Sequence, residues 1–188
     1  MKRSPWFFGA IAVVVLLALW VLSGYNSLVT ERQNIETAWS QVETQYQRRF
    51  DLIPNLQATV RGAANFEQET FTAVTAARSQ WQDAGSRDEQ VAAAGQFDSA
   101  LSRLLVTVEA YPQLQATQAF RDFMTQLEGT ENRIATARRD YNEAVRTYNL
   151  AVKRFPGVIL AGIFGYDAEP GFESSEGSDS APSVNFNQ

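Results

Sequence analysis

Between Ser4 and Thr30 the chain carries no charged residue, and this run restricts the possible folds more than any other feature. Within it Trp6 to Leu22, WFFGAIAVVVLLALWVL, is apolar throughout. About twenty such residues in a helix cross the hydrocarbon core of a bilayer. With its flanks, the run predicts a single N-terminal transmembrane helix over residues 6–24, behind a short flank at 1–5. Trp6 and Trp20 stand near its ends, where interfacial aromatic residues belong. A cleaved signal peptide is the alternative. Its apolar region would be unusually long, and Val21-Leu22-Ser23 is only a fair small-x-small cleavage site. Lys2 and Arg3 precede the run, and the first base after it is Arg32, directly behind Glu31. The positive-inside rule then places the short N-terminus in the cytoplasm and the body on the other side. The span carries no GxxxG, so nothing in it specifies dimerisation.

Past Gly24 the apolar residues are Leu28, Ile35, Trp39, Val42, Tyr46, Phe50, Ile53, Leu56 and Val60. Steps of seven, then three and four, make one helical stripe. Pro54 interrupts it, and the expectation is a kink or break near Phe50-Asp51, with Asp51 able to cap a restart. A second helix is expected from about Phe66 to Trp81, through Thr70, Val74 and Ala77. Gly85 stops it, and Ser86 with Glu89 three residues on reads as the next N-terminus. A third helix follows Val91, Ala94, Phe97, Leu101, Leu104, Val108 and Tyr111, until Pro112 ends or bends it.

The last helix is expected from about Gln113 to Phe155. Phe120, Leu127, Ile134, Tyr141, Tyr148 and Phe155 recur every seven residues, as a buried seam does. Four residues after each of the first five stand Met124, Glu131, Arg138, Val145 and Val152. Tyr141-Asn142 and Tyr148-Asn149 repeat because both tyrosines belong to the seam; a ligand site is the other reading. Glu131 and Arg138 are charges in an apolar pattern, and a buried charge needs a partner. They are two turns apart, so each is expected to meet another helix, with Arg48 or Arg49 serving Glu131. Arg48, Arg49, Asp51, Asn55, Glu131 and Arg138 are therefore the candidate partner-binding or register residues. Either they fix the register of the bundle or they line a polar groove.

Pro156-Gly157 stops that helix. Val158 to Tyr166 has no charge and is too short to cross a membrane. It either folds back to cap the bundle or presents Val158, Ile159, Leu160, Ile163 and Phe164 as a docking segment. An even number of long antiparallel helices would return it to the membrane. The last stretch, 166–188, is acidic, Ser-rich and expected to be disordered.

Composition removes much chemistry. The 188 residues include no Cys and no His. Thiol nucleophiles, disulfides, lipidation on Cys and every histidine acid, base or ligand are excluded. Of the 21 acids, five lie beyond Tyr166, and the remaining 16 balance the 16 bases. No basic footprint for nucleic acid exists. No Walker loop, GxSxG elbow, Rossmann glycine pattern or HExxH occurs. Glu128 with Glu131, and Asp140 with Glu143, pair carboxylates on helix faces, but a di-iron bundle would want histidine.

RRFDLIPNL (Arg48 to Leu56), NFEQETFTAVTAAR (Asn65 to Arg78) and EGTENRIATARRDYNEAVRTYN (Glu128 to Asn149) are ordered blocks that resemble those of the LemA family. Tyr25-Asn26 and FPGVILAGIFGY add to the resemblance, which covers about Trp6 to Glu173. It implies a bacterial membrane protein with one N-terminal span and an elongated helical bundle, and no established reaction. It also implies relatives tied to magnetosome formation. The family is commonly described with its N-terminus outside, opposite to the reading of Lys2 and Arg3.

The sequence thus predicts an all-α fold: an elongated antiparallel bundle of about four long helices over 25–165, preceded by the transmembrane helix. The expected function is a scaffold or adaptor at the bacterial inner membrane, binding protein partners or copies of itself, with the bundle on the periplasmic side. No enzyme activity, cofactor, nucleic acid or small-molecule substrate is expected. A membrane-shaping oligomer that engages lipid is the alternative.

Overall fold

The computed structural model describes residues 5–61 and 68–172. The expected flank at 1–5, save Pro5, the start of the second helix at Phe66 and the tail from Glu173 lie outside the described residues. Helix α1, Pro5–Arg61, runs unbroken for 57 residues. Its N-terminal part is long and apolar enough to cross a membrane. From Leu28 to Leu56 the predicted stripe is buried. The expected break at Phe50-Asp51 is absent, and Pro54 sits inside the helix. A proline there removes one backbone hydrogen bond and costs about 3 kcal/mol. Phe50, Ile53 and Leu56 are buried on both sides of it. The Phe50 ring packs 4.8 Å from Phe97 and 6.0 Å from Trp81. Tertiary packing outweighs the local penalty. Asp51 caps nothing; its carboxylate accepts from the Gln47 side chain at 2.8 Å.

Helices α2 (Gln68–Asp83) and α3 (Arg87–Glu109) form a hairpin. As expected, Ser86 caps α3, accepting from the Glu89 N–H at 3.3 Å. Glu89 in turn accepts from the Gly85 N–H at 2.7 Å, so the turn is tied from both ends. Helix α3 runs parallel to α1, with Glu36 facing Arg87 and Phe50 facing Phe97. A single turn, α4 (Pro112–Gln115), leads to α5 (Gln118–Lys153), which runs antiparallel along α1. The bundle therefore alternates in direction, as predicted.

The one helix expected over 113–155 is divided at Thr117. Its hydroxyl accepts from the Phe120 N–H at 3.2 Å and donates to the Leu114 carbonyl at 2.7 Å. An N-cap satisfied from both sides ends one helix and starts the next. At the far end the chain leaves the helix at Arg154, and Phe155, expected in the seam, is 80 % exposed.

The seam of α5 also drifts. Phe120, Leu127, Ile134, Tyr141 and Tyr148 are buried as predicted. Beside them lie Phe123, Thr130 and Ala137, three residues on from the first three, and only then Val145 and Val152, four residues on. A turn of 3.6 residues does not divide seven, so the buried face creeps around the helix. Glu131 and Arg138 consequently flank the seam.

After Pro156, α6 (Gly157–Phe164) folds back onto α1. Leu160 and Ala161 are buried. A Cβ on Gly24 would collide with Cδ1 of Leu160, so the small residue in α1 lets α6 seat. Gly165 ends α6 at φ 71, a left-handed cap that glycine adopts without strain. The chain then runs extended along α5 to Phe172.

Candidate functional site

The repeated Tyr-Asn pairs hold that extended segment. Asn149 donates from its amide to the Glu169 carbonyl at 2.8 Å and accepts from the Glu169 N–H at 2.9 Å. One heptad earlier, Asn142 does the same to Phe172, at 2.9 and 2.8 Å. Seven helical residues rise about 10.5 Å. Three extended residues span about 10 Å. The spacings match, so two side-chain amides on α5 substitute for a neighbouring strand. Between them the Tyr141 hydroxyl donates to the Pro170 carbonyl at 2.8 Å. Burial pushes that hydroxyl up to about 12, so it stays a donor. Residues 167–172 of the expected disordered tail are thus fixed to the bundle.

Glu169 ties this segment to the other helices. Its carboxylate meets Arg87 of α3 at 3.0 Å and Arg32 of α1 at 3.2 Å. Arg87 also reaches Glu36 at 2.8 Å and lies over the Trp39 ring. Phe172 stacks on Trp39 at 6.0 Å and receives the Arg138 guanidinium at 4.7 Å. The segment fills the space between α1 and α5 beyond the tip of the α2–α3 hairpin.

A second polar cluster lies further along. Arg49 is 4 % exposed. It binds Asp98 at 2.7 Å and also Glu131. The other Asp98 oxygen meets Arg138 at 2.5 Å, and Arg138 also donates to the Tyr46 hydroxyl. Asp98 of α3 therefore joins an arginine of α1 to one of α5. Burial pushes the Asp98 carboxyl up to about 6, against the pull of Arg49. Burial also lowers Arg138.

These contacts sort the sequence candidates. Arg49, Glu131 and Arg138 come together. Glu131 pairs with Arg49, one of the two expected partners, and not with Arg138. Neither is the fully buried charge expected: the Glu131 side chain is 46 % exposed and that of Arg138 28 %. Among the described residues the buried charge is Arg49. Arg48, Asp51 and Asn55 stay apart on the exposed face of α1. Arg48 and Asp51 line a groove of about 520 Å³ between α1 and α5, with Thr125, Gly129 and Arg133 opposite. Of the docking segment, Val158, Ile159, Ile163 and Phe164 are exposed, whereas Leu160 belongs to the core.

Asp98 and Glu169 escaped sequence reasoning. Asp98 directly follows the buried Phe97, a weak sign of a charge at the edge of a core. Glu169 lies in an acidic stretch that gave no sign of its contacts. Among the described residues no group of three carboxylates could hold a metal ion. Glu143 pairs with Arg146 at 2.6 Å and Asp140 with Arg139 at 3.3 Å.

The family model described as the LemA family matches residues 38–186. The chain belongs to the LemA family. Magnetosome protein MamQ 2 of Paramagnetospirillum magneticum is 31 % identical over 90 % of this chain and 71 % of its own length. Magnetosome protein MamQ of Magnetospirillum gryphiswaldense is 29 % identical, over 95 % and 79 %. Protein LemA of Metamycoplasma hominis is 27 % identical, over 69 % and 60 %. The LemA-matched region holds the Arg49–Asp98–Arg138 cluster and the Asn142 and Asn149 clamps, whereas the apolar run at 6–24 precedes it.

Proposed function

We propose that this LemA-family protein is a non-catalytic scaffold anchored in the bacterial inner membrane. Its short N-terminus is cytoplasmic, and its bundle stands on the periplasmic side. There it binds protein partners or further copies of itself through the exposed face around Arg48, Asp51 and Asn55. One observation carries this reading: the span and the central bundle helix are the same unbroken helix, α1. The body is held upright on its anchor, while Arg49, Arg87, Asp98, Arg138 and Glu169 hold the helices together. Arg48 and Asp51 are charges on an open groove that the two internal clusters do not use. Surfaces of this kind, with a free arginine and a backbone made accessible by Gly129, suit contact with another protein.

The test uses the full-length protein in detergent or nanodiscs. Arg48→Ala with Asp51→Ala is expected to abolish complexes seen on native gels or by cross-linking, with the melting temperature unchanged. Complexes that survive this pair would sink the reading. Orientation is tested separately, since the chain lacks cysteine. Ser178→Cys is expected to react with an impermeant maleimide in cells with a permeable outer layer and an intact inner membrane; Ser4→Cys is not. The reversed pattern would place the bundle in the cytoplasm.

A further inference from the structure

We infer that α6 is a second membrane contact, lying in the headgroup boundary of the same bilayer that α1 crosses. The inference rests on the membrane reading of α1 and adds a second element to it.

The exposed apolar surface is unevenly placed. Phe155 is 80 % exposed, Ile163 68 %, Ile159 46 %, Val158 45 % and Phe164 44 %. Among the described residues, the other exposed large apolar side chains all belong to α1 between Trp6 and Val29, with the sole addition of Val106. A water-soluble body has no reason to gather its exposed apolar side chains on one eight-residue helix and the turn that leads into it.

Height selects the occupant. Leu160 packs on Gly24, and the Phe164 ring lies 4.9 Å from Tyr25. Both α1 residues stand where the apolar span ends. The outer face of α6 is therefore continuous with the apolar surface of the span, at the level where the bilayer ends. Tyr25, Phe164 and Tyr166 group there, the latter ring 6.3 Å from Tyr25. Aromatic residues with a polar tip favour this boundary.

The pattern also fits. Within α6, Val158, Ile159 and Ile163 are exposed while Leu160 and Ala161 face the core, and exposed Phe155 stands just before the helix. From Phe155 to Tyr166 there is no charge, while exposed Lys153 and Arg154 stand just before it. Eight residues rise about 12 Å, too little to cross and enough to lie in the interface. Basic residues beside such a helix meet anionic headgroups.

The experiment places single cysteines in the full-length chain, each carrying an environment-sensitive fluorophore. The protein is reconstituted in phosphatidylethanolamine–phosphatidylglycerol vesicles. Quenching by shallow and deep nitroxide lipids is compared with quenching by aqueous iodide. Ile163→Cys is expected to lose its emission to the shallow nitroxide and resist iodide. Leu16→Cys should lose it to the deep nitroxide, and Val106→Cys to iodide alone. If Leu16→Cys responds to lipid but Ile163→Cys responds to iodide, α6 is in water and the inference fails while the span stands. If Ile163→Cys is shielded from both, a second copy or another protein covers α6, and the inference also fails. If Leu16→Cys ignores lipid, the membrane reading itself is wrong and α6 falls with it.

Discussion

The side-chain amide of Asn142 closes on the backbone of Phe172 from both sides, giving and receiving one hydrogen bond. Asparagine is the shortest side chain that carries the donor and acceptor pair of a peptide group. Asn142→Ala removes both bonds and leaves half-buried backbone groups unpaired. A loss of about 1–2 kcal/mol is expected. Hydrogen exchange should speed up at the Phe172 amide first and at the Glu169 amide only slightly, because Asn149 still holds it. Unchanged exchange at Phe172 would show that the clamp contributes nothing.

Arg48 and Arg49 are neighbours with opposite circumstances. Arg49 is buried among two carboxylates, and its removal strands Asp98 with one arginine. Breaking such a buried pair costs about 3 kcal/mol. Arg48 is exposed, and surface changes stay within about 0.5 kcal/mol. Urea unfolding of Arg49→Ala and Arg48→Ala should separate them by that margin. Equal midpoints would mean that the cluster does not stabilise the fold.

Asp98 gives stability a pH dependence of unusual sign. Its folded value is about 6, above the ordinary 3.8. Between these values the folded state keeps a proton that the unfolded state has released, so stability from this group falls as pH rises. It is fully present below the lower value and lost through the upper one. Moving from about pH 7 to about pH 4.5 should raise the melting temperature of the native protein relative to Asp98→Asn. Parallel curves for the two would refute this.

The glycines around α6 differ in what surrounds them. A Cβ at Gly157 would run into the backbone carbonyl of Ala151, whereas Gly162 has open space. Gly157→Ala should therefore unseat α6 and lower the melting temperature. Gly162→Ala should be neutral or gain up to about 1 kcal/mol, as an exposed helical glycine does. Calorimetry of the two variants gives the comparison directly.

The helices were legible because their apolar stripes are long and regular. From Leu28 to Leu56, and through the tyrosines of α5, periodicity alone picked out buried residues. It failed where a few residues decide the outcome. Thr117 divides α5 from α4 with a single hydroxyl, just ahead of the first seam residue, Phe120. Pro54 is tolerated because residues far away in sequence, Trp81 and Phe97, pack around Phe50. The partners of Glu131 and Arg138 could be anticipated as lying on other helices, but Asp98 became visible only when α3 was laid against α1. The Tyr-Asn repeat was noticed in the sequence, yet half of its meaning lies in a segment whose composition reads as tail. Side-chain amides that pair with backbone leave no periodic trace at the partner.

Because α1 passes from the apolar run into the bundle without a joint, it acts mechanically as one lever. From Gly24 to Arg61 it reaches about 55 Å above the end of the span. Transmembrane helices tilt to match the thickness of their bilayer. A change of about 10° at the base would swing the far end by about 10 Å, and a rotation of the span would turn the whole bundle with it. A small tilt at the base is thus a large displacement at the far end.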